Sequence, residues 1–296
     1  MRACPPDPTF ATVCRIVHGL RNRFAALVSS GARLDLGRAA LEVARIAYPH
    51  LDPVPPLAEL DRLADQVRAR IAPGAAPATR ADQLLAVVFE VNGFRGNQAD
   101  YYDPRNSFLN DVLARRLGIP ISLAVVVMEV GRRAGVSVSG VGFPGHFLVR
   151  LPGPDGSRLV DPFHAGATLT DADLRERLRA LSSGSRGPQL AAVPPEFLQP
   201  VPATAILARM LRNLLRVWQD RGDAASALAA VDLLLVLGPD TPEEVKTRGL
   251  LYAELECFAA AADDFRRYLT LAPDAADADA VRDRLAQLHD TVPTLH

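Results

Sequence analysis

The sequence is short of cysteine, of aromatics, of net charge and of long apolar runs. Its three cysteines, Cys4, Cys14 and Cys257, form no closely spaced pair. That excludes a disulfide framework and a zinc motif, and it fits a reducing compartment. A chain of 296 residues needs no such staples, because it is long enough to bury a core. Aromatics make up only 6% while apolar residues reach 49%, so the core is built mainly from Ala, Leu and Val. A formal net charge of −1 argues against a nucleic-acid binder driven by phosphate neutralisation and against an electrostatic membrane anchor. The longest apolar run, Leu123 to Met128, is far too short to span a bilayer. Arg15 and His18 interrupt the only candidate leader segment, so no signal peptide is expected and the cytoplasm is the default location.

What is present changes character along the chain. After Asp35, a plausible N-cap, Ala40, Leu41, Ala44 and Tyr48 fall near helical spacing. Leu57, Leu60, Ala64, Val67 and Ile71 mark one face of a second helix, and Leu84, Leu85 and Val88 begin a third. Asn106 or Ser107 can cap a helix running to about Leu117 and stopped by Gly118. Pro120 suits the first position of the next helix, which ends at Gly135. Val136 to Ser139 alternate as a strand does, and Phe147 to Leu151 and Leu159 to Phe163 read as two more strands. The turn-rich stretch Pro152 to Ser157 joins them, and Thr170 with Asp173 opens another helix as a capping box. Helices followed by antiparallel strands make an α+β pattern.

Beyond a Pro-rich stretch the sequence repeats at a period of 34. Trp218 matches Tyr252, Ala227 matches Ala261, Val231 matches Phe265, Leu234 matches Tyr268, and Pro239 matches Pro273. This is the tetratricopeptide pattern of stacked helical hairpins. The expected organisation is therefore a helical and α+β domain over 1–185, a linker over 186–203, and an all-α repeat domain over 204–296.

Four motifs carry a resemblance: Tyr102-Asp-Pro-Arg-Asn-Ser-Phe-Leu109, Gly118-Ile-Pro-Ile-Ser-Leu123, Gly142-Phe-Pro-Gly-His-Phe147 and Leu159-Val-Asp-Pro-Phe163. With Arg209-Met-Leu-Arg-Asn213 and the repeats, the chain resembles bacterial proteins that join a transglutaminase-like core to tetratricopeptide repeats, named for the "Sir" regulators of invasion-gene expression. The resemblance covers about Arg33 to Leu288, and the first thirty residues look like an extension. It implies a papain-like architecture, with a nucleophile at a helix start and then a His and an Asp on adjacent strands. In this sequence those positions fall on Ser122, His146 and Asp161. The active enzymes of that class use Cys where this chain has Ser122.

Each candidate has a chemical and a structural reading. Ser122 lies in the first turn of a helix, where free N–H groups stabilise an anion. It is either a nucleophile that needs His146 as general base or a small polar residue in a helix's first turn. His146 and Asp161 share a strand face: a symmetric hairpin puts 148 opposite 161 and 146 opposite 163. A carboxylate there can fix the imidazole tautomer. Asn106 and Asp103 read as turn and cap residues or, for Asn106, as a donor lining the cleft. His164 reaches the cleft rim. The spacing of His and Cys suggests no metal, and no cofactor is expected. Two functions follow: a non-catalytic regulator or scaffold holding a protein or peptide partner through the repeats and the cleft, or an amide or ester hydrolase or acyltransferase using Ser122, His146 and Asp161.

Overall fold

The computed structural model describes residues 19–29, 31, 34–181 and 192–291. Cys4, Cys14, Arg15, His18 and the first part of the expected linker, 186–191, lie outside them. The chain divides into two compact units.

The α+β unit comprises Leu34–Ala44 and the described part of His50–Met210. It opens with α2 (Leu36–Ala44), α3 (Val54–Arg70) and α4 (Pro77–Leu85), the last running into a π-helical segment, Ala86–Val91. Prolines start α3 and α4, where the missing N–H costs nothing. A short parallel pair, β1 (Arg95–Gly96) and β2 (Leu117–Gly118), brackets α5 (Leu109–Arg115). At the centre lies α6 (Pro120–Ala134), buried on nearly every face, with Ile121 and Leu123 to Val127 closed to solvent. An all-round apolar helix is a buried helix, and α3 and α5 pack on it. Gly135 ends it in the left-handed conformation.

A four-stranded antiparallel sheet follows, in the order β3 (Ser139–Val141), β4 (Leu148–Gly153), β5 (Gly156–Asp161), β6 (Ala167–Leu169). Val149 pairs with Val160, which is the register that symmetric closure of the hairpin requires. The sheet packs on α7 (Asp171–Leu181) through Val141, Phe143, Leu148, Leu159, Leu174 and Leu178. Thr170 and Asp173 cap α7 reciprocally.

Three local expectations need correction. The helix α5 has Phe108 at its N-cap, not Asn106 or Ser107, because Asp103 caps an earlier 3-10 turn, Pro104–Asn106. It stops at Arg116, which takes φ 60. That conformation is held by an ion pair with Glu59 and by stacking 4.6 Å over Phe94, which leaves Gly118 free to pair in β2. Strand β3 starts at Ser139 because Val136 N–H closes the end of α6 on Gly131 O, at 2.8 Å. The described end of the Pro-rich stretch, 192–202, is no free tether either. Val193 is buried, Pro200 bridges Val141, and Val201 N–H bonds Gly140 O at 3.0 Å.

The helical unit holds α8 (Ala203–Asp220) from Leu211 on, then α9 (Ala224–Leu237), α10 (Pro242–Glu254), α11 (Phe258–Leu271) and α12 (Ala278–Thr291). The 34-residue period is visible in its turns. Gly222 and Glu256 both take positive φ, and Gly238 and Ala272 end their helices in similar backbone geometry. Trp218, Ala227, Val231, Ala261, Phe265 and Tyr268 are buried, and Tyr252 is half-buried. Ile206 to Leu215 lie within α8. Sequence order groups the N-terminal helix α1 (19–28) with the α+β domain, yet it belongs to this unit. Leu20 and Phe24 are buried, and Arg21 bonds both the Asp232 carboxylate (2.8 Å) and its carbonyl (3.1 Å). Helix α9 presents an apolar face that needs cover.

Candidate functional site

The site is built around one carboxylate. Asp161 ends β5 and is closed to solvent. The Pro162–His164 turn that follows curls back, so Phe163 N–H (2.9 Å) and His164 N–H (3.4 Å) donate to Asp161 Oδ1. Across the hairpin, His146 Nε2 lies 2.8 Å from Oδ1. His164 Nδ1 (2.7 Å) and Arg177 of α7 (2.6 Å) converge on Oδ2. Burial alone would raise the pKa of Asp161. The His146 hydrogen bond and charge, then His164 and Arg177, outweigh it and hold the carboxyl well below the usual carboxylate range.

An ionised Asp161 only accepts hydrogen bonds, so both imidazoles donate to it. That fixes His146 as the Nε2–H tautomer and leaves Nδ1, when neutral, as a lone-pair acceptor with no protein partner among the described residues. A base held this way can take a proton from a group placed at Nδ1. The His146 ring also meets Phe163 edge-on at 6.4 Å and lies near-parallel to His164 at 6.3 Å. The segment before it is shaped by Gly145, whose φ of 65 turns the chain tightly enough for His146 N–H to bond Phe143 O at 3.0 Å.

Ser122 sits elsewhere in the network. Its side chain is fully buried, and Oγ donates to Asn106 O (2.5 Å) while accepting from Ile119 N–H (3.1 Å). Gly118 allows this approach, since a Cβ there would stand 2.7 Å from the hydroxyl. Among the described residues no hydrogen bond joins Ser122 to His146. Asn106 is equally enclosed, its amide bonding Asp100 O (2.7 Å), Tyr101 O (3.2 Å) and Asn97 (3.0 Å). It shapes the 97–101 loop and presents no free donor to a cleft. Asp103 caps its turn and pairs with Arg105 at 2.8 Å and Arg115 at 3.3 Å.

His164 is half exposed and opens on a cavity of about 440 Å³ lined by Arg95, Asn97, Gln98, Leu117 and Phe163. The Phe163 ring lies against β1 where residue 96 has no side chain, since a Cβ on Gly96 would come within 2.4 Å of it. The three groups His146, Asp161 and His164 bring their ligating atoms within 4.8 Å of one another. A cation there would have to displace Arg177 from Asp161, so the donor set is committed to hydrogen bonds. Arg177 was not legible in the sequence as a site residue, since nothing local marks one arginine of α7 over its neighbours. The same holds for Phe163 and Gly96.

The transglutaminase-like superfamily matches residues 56–212, which contain this whole network. The chain belongs to that superfamily. The tetratricopeptide repeat matches residues 204–286. A "UPF0162 protein" of Xylella fastidiosa is 41% identical over 257 residues, covering 86% of this chain and 90% of that one. A "UPF0162 protein" of Pseudomonas aeruginosa is 35% identical with the same coverage. "F-box only protein 21" of Homo sapiens is 30% identical over 185 residues, 59% of this chain and 28% of that one. No solved structure matches the chain. A transglutaminase-like domain with tetratricopeptide repeats supports a protein-interaction or scaffold role in general. Among the described residues no helix is long and apolar enough to cross a membrane.

Proposed function

We propose that this protein is a non-catalytic regulator or scaffold of the Sir type, acting in the cytoplasm and holding a peptide partner through its repeats and its transglutaminase-like cleft. The observation that carries this reading is the state of Ser122. Its hydroxyl is sealed, and its proton is committed to Asn106 O at 2.5 Å. The His146–Asp161 pair is built as a general base would be, but among the described residues no nucleophile is bonded to it. Acyl transfer needs the nucleophile and the base within hydrogen-bond reach.

One observation favours the alternative, an amide or ester hydrolase or acyltransferase using Ser122, His146 and Asp161. His146 Nδ1 has no protein partner among the described residues, the arrangement a base needs. The test sets the two readings against each other. Full-length protein is assayed on activated esters and with a fluorophosphonate probe, beside Ser122→Ala, and is screened on an array of peptides. The scaffold reading expects no Ser122-dependent turnover or labelling, together with retained peptides. Turnover abolished by Ser122→Ala overturns it, and so does an array on which nothing is retained.

A further inference from the structure

Most of the partly buried arginines among the described residues face a carboxylate, while Arg80 and Arg150 bond backbone carbonyls. Arg133 pairs with Glu129 and Asp61, Arg177 with Asp161, and Arg248 with Asp264 and Asp232. Arg209 does not. It lies in the early part of α8 within the α+β unit and is partly buried. Its described partners are the Phe143 carbonyl, at 3.3 Å from Nη1, and the face of Phe147, at 5.5 Å. Its Nε and Nη2 bond to nothing among the described residues, yet they are not sealed from solvent. A desolvated guanidinium without a counter-ion is costly to keep, and an accessible ligand can supply the missing charge.

Its place in the fold ties this cation to the site. The Phe143 carbonyl that accepts from Arg209 also accepts from His146 N–H, at 3.0 Å. The guanidinium and the His146 backbone are therefore no farther apart than two hydrogen-bond lengths. Tyr101 belongs to the aromatic cluster around His146. Its ring meets Phe163 edge-on at 5.8 Å, and Phe163 in turn meets His146. Burial pushes the Arg209 pKa down.

We propose that Arg209 forms a carboxylate-recognition subsite beside His146 that takes the C-terminal or acidic side-chain carboxylate of a bound peptide. The free Nε and Nη2 lie on one edge of the guanidinium and present a fork that matches the two oxygens of a carboxylate. The guanidinium carbon lies 5.5 Å above the Phe147 ring. This subsite rests on the peptide-binding reading for its ligand, but its geometry holds whether or not Ser122 reacts.

The test is an NMR titration of isotope-labelled full-length protein. It follows the Arg209 Nε–H signal and the His146 backbone amide, which shares the Phe143 carbonyl with Arg209 Nη1. The probes are N-acetylalanine, carrying only an α-carboxylate, and the α-amide of N-acetylglutamate, carrying only a side-chain carboxylate. N-acetylalanine amide and inorganic phosphate are the controls. A saturable shift with at least one carboxylate probe is expected, and the probe that binds identifies the source. In Arg209→Gln, read on the His146 amide, affinity should fall about tenfold or more, as expected for loss of a charge-assisted hydrogen bond. Arg209→Lys keeps the charge and loses the fork, so it should also weaken binding, and it serves if the Gln variant fails to fold. No saturable shift with either carboxylate overturns the proposal. So does equal binding of the neutral amide or of phosphate, or unchanged affinity in both variants. Ester hydrolysis through Ser122 would sink the scaffold reading and leave this titration as it stands.

Discussion

Replacing Asp161 with Asn keeps the shape of the side chain and removes its charge. In the native site Oδ1 accepts from His146 and two backbone N–H groups, while Oδ2 accepts from His164 and Arg177. An amide has one acceptor oxygen, so whichever position becomes NH2 faces donors only. Breaking a buried ion pair from one side costs about 3–5 kcal/mol. Here Arg177 and His164 keep partial access to water, with side chains 29% and 49% exposed, so a loss of about 2–4 kcal/mol is the better figure. At this size that corresponds to a drop in Tm of roughly 4–16 °C. The pH dependence adds a second check. The folded-state pKa of Asp161 is depressed, so its stabilisation is fully present above the ordinary carboxylate pKa of about 3.9 and is lost as pH falls through the lower folded value. Asn resembles the protonated acid. The gap between wild type and Asp161→Asn should therefore be constant near neutrality and narrow below about pH 4. Denaturant melts over a pH series measure it. A neutral-pH cost under about 1 kcal/mol, or a gap that fails to narrow in acid, would refute the network as described.

Three further changes probe other parts of the structure. Ser122→Cys places a thiol in the sealed position beneath Gly118, and it should stay unlabelled by iodoacetamide in the native protein and react only on unfolding; rapid native labelling would show the site to be open. Gly96→Ala forces a methyl to within 2.4 Å of the Phe163 ring and should cost about 1–3 kcal/mol by denaturant melt, an unchanged midpoint arguing against the close packing of Phe163 on β1. Ala261→Leu overfills a fully buried position between repeat helices and should cost about 1–3 kcal/mol; a melting temperature left in place would contradict the repeat register.

Several features that depend on neighbours along the chain were legible in the sequence itself, although the N-cap of α5 and the start of β3 were not. The 34-residue period located α9 and α11, and Pro120 and Gly135 bracketed α6. Two-residue alternation with a Gly/Pro turn set the β4–β5 register, which puts the bend before β4 that carries His146 beside the end of β5. Such signals are local, since helix starts, turns and strand faces follow from backbone geometry within a few residues. Contacts that close over distance were decided by the tertiary structure alone. Ser122 reads as a helix-start nucleophile until the Asn106 carbonyl, sixteen residues away, takes its proton. Arg177 joins Asp161 only because α7 folds back over the sheet. Leu20, Phe24 and Arg21 read as an N-terminal extension, yet the first two are buried and Arg21 pairs with Asp232 of α9. None of these partners shares a period or a motif with its target. Only packing brings them together, because an apolar face needs cover and a buried polar group needs a partner.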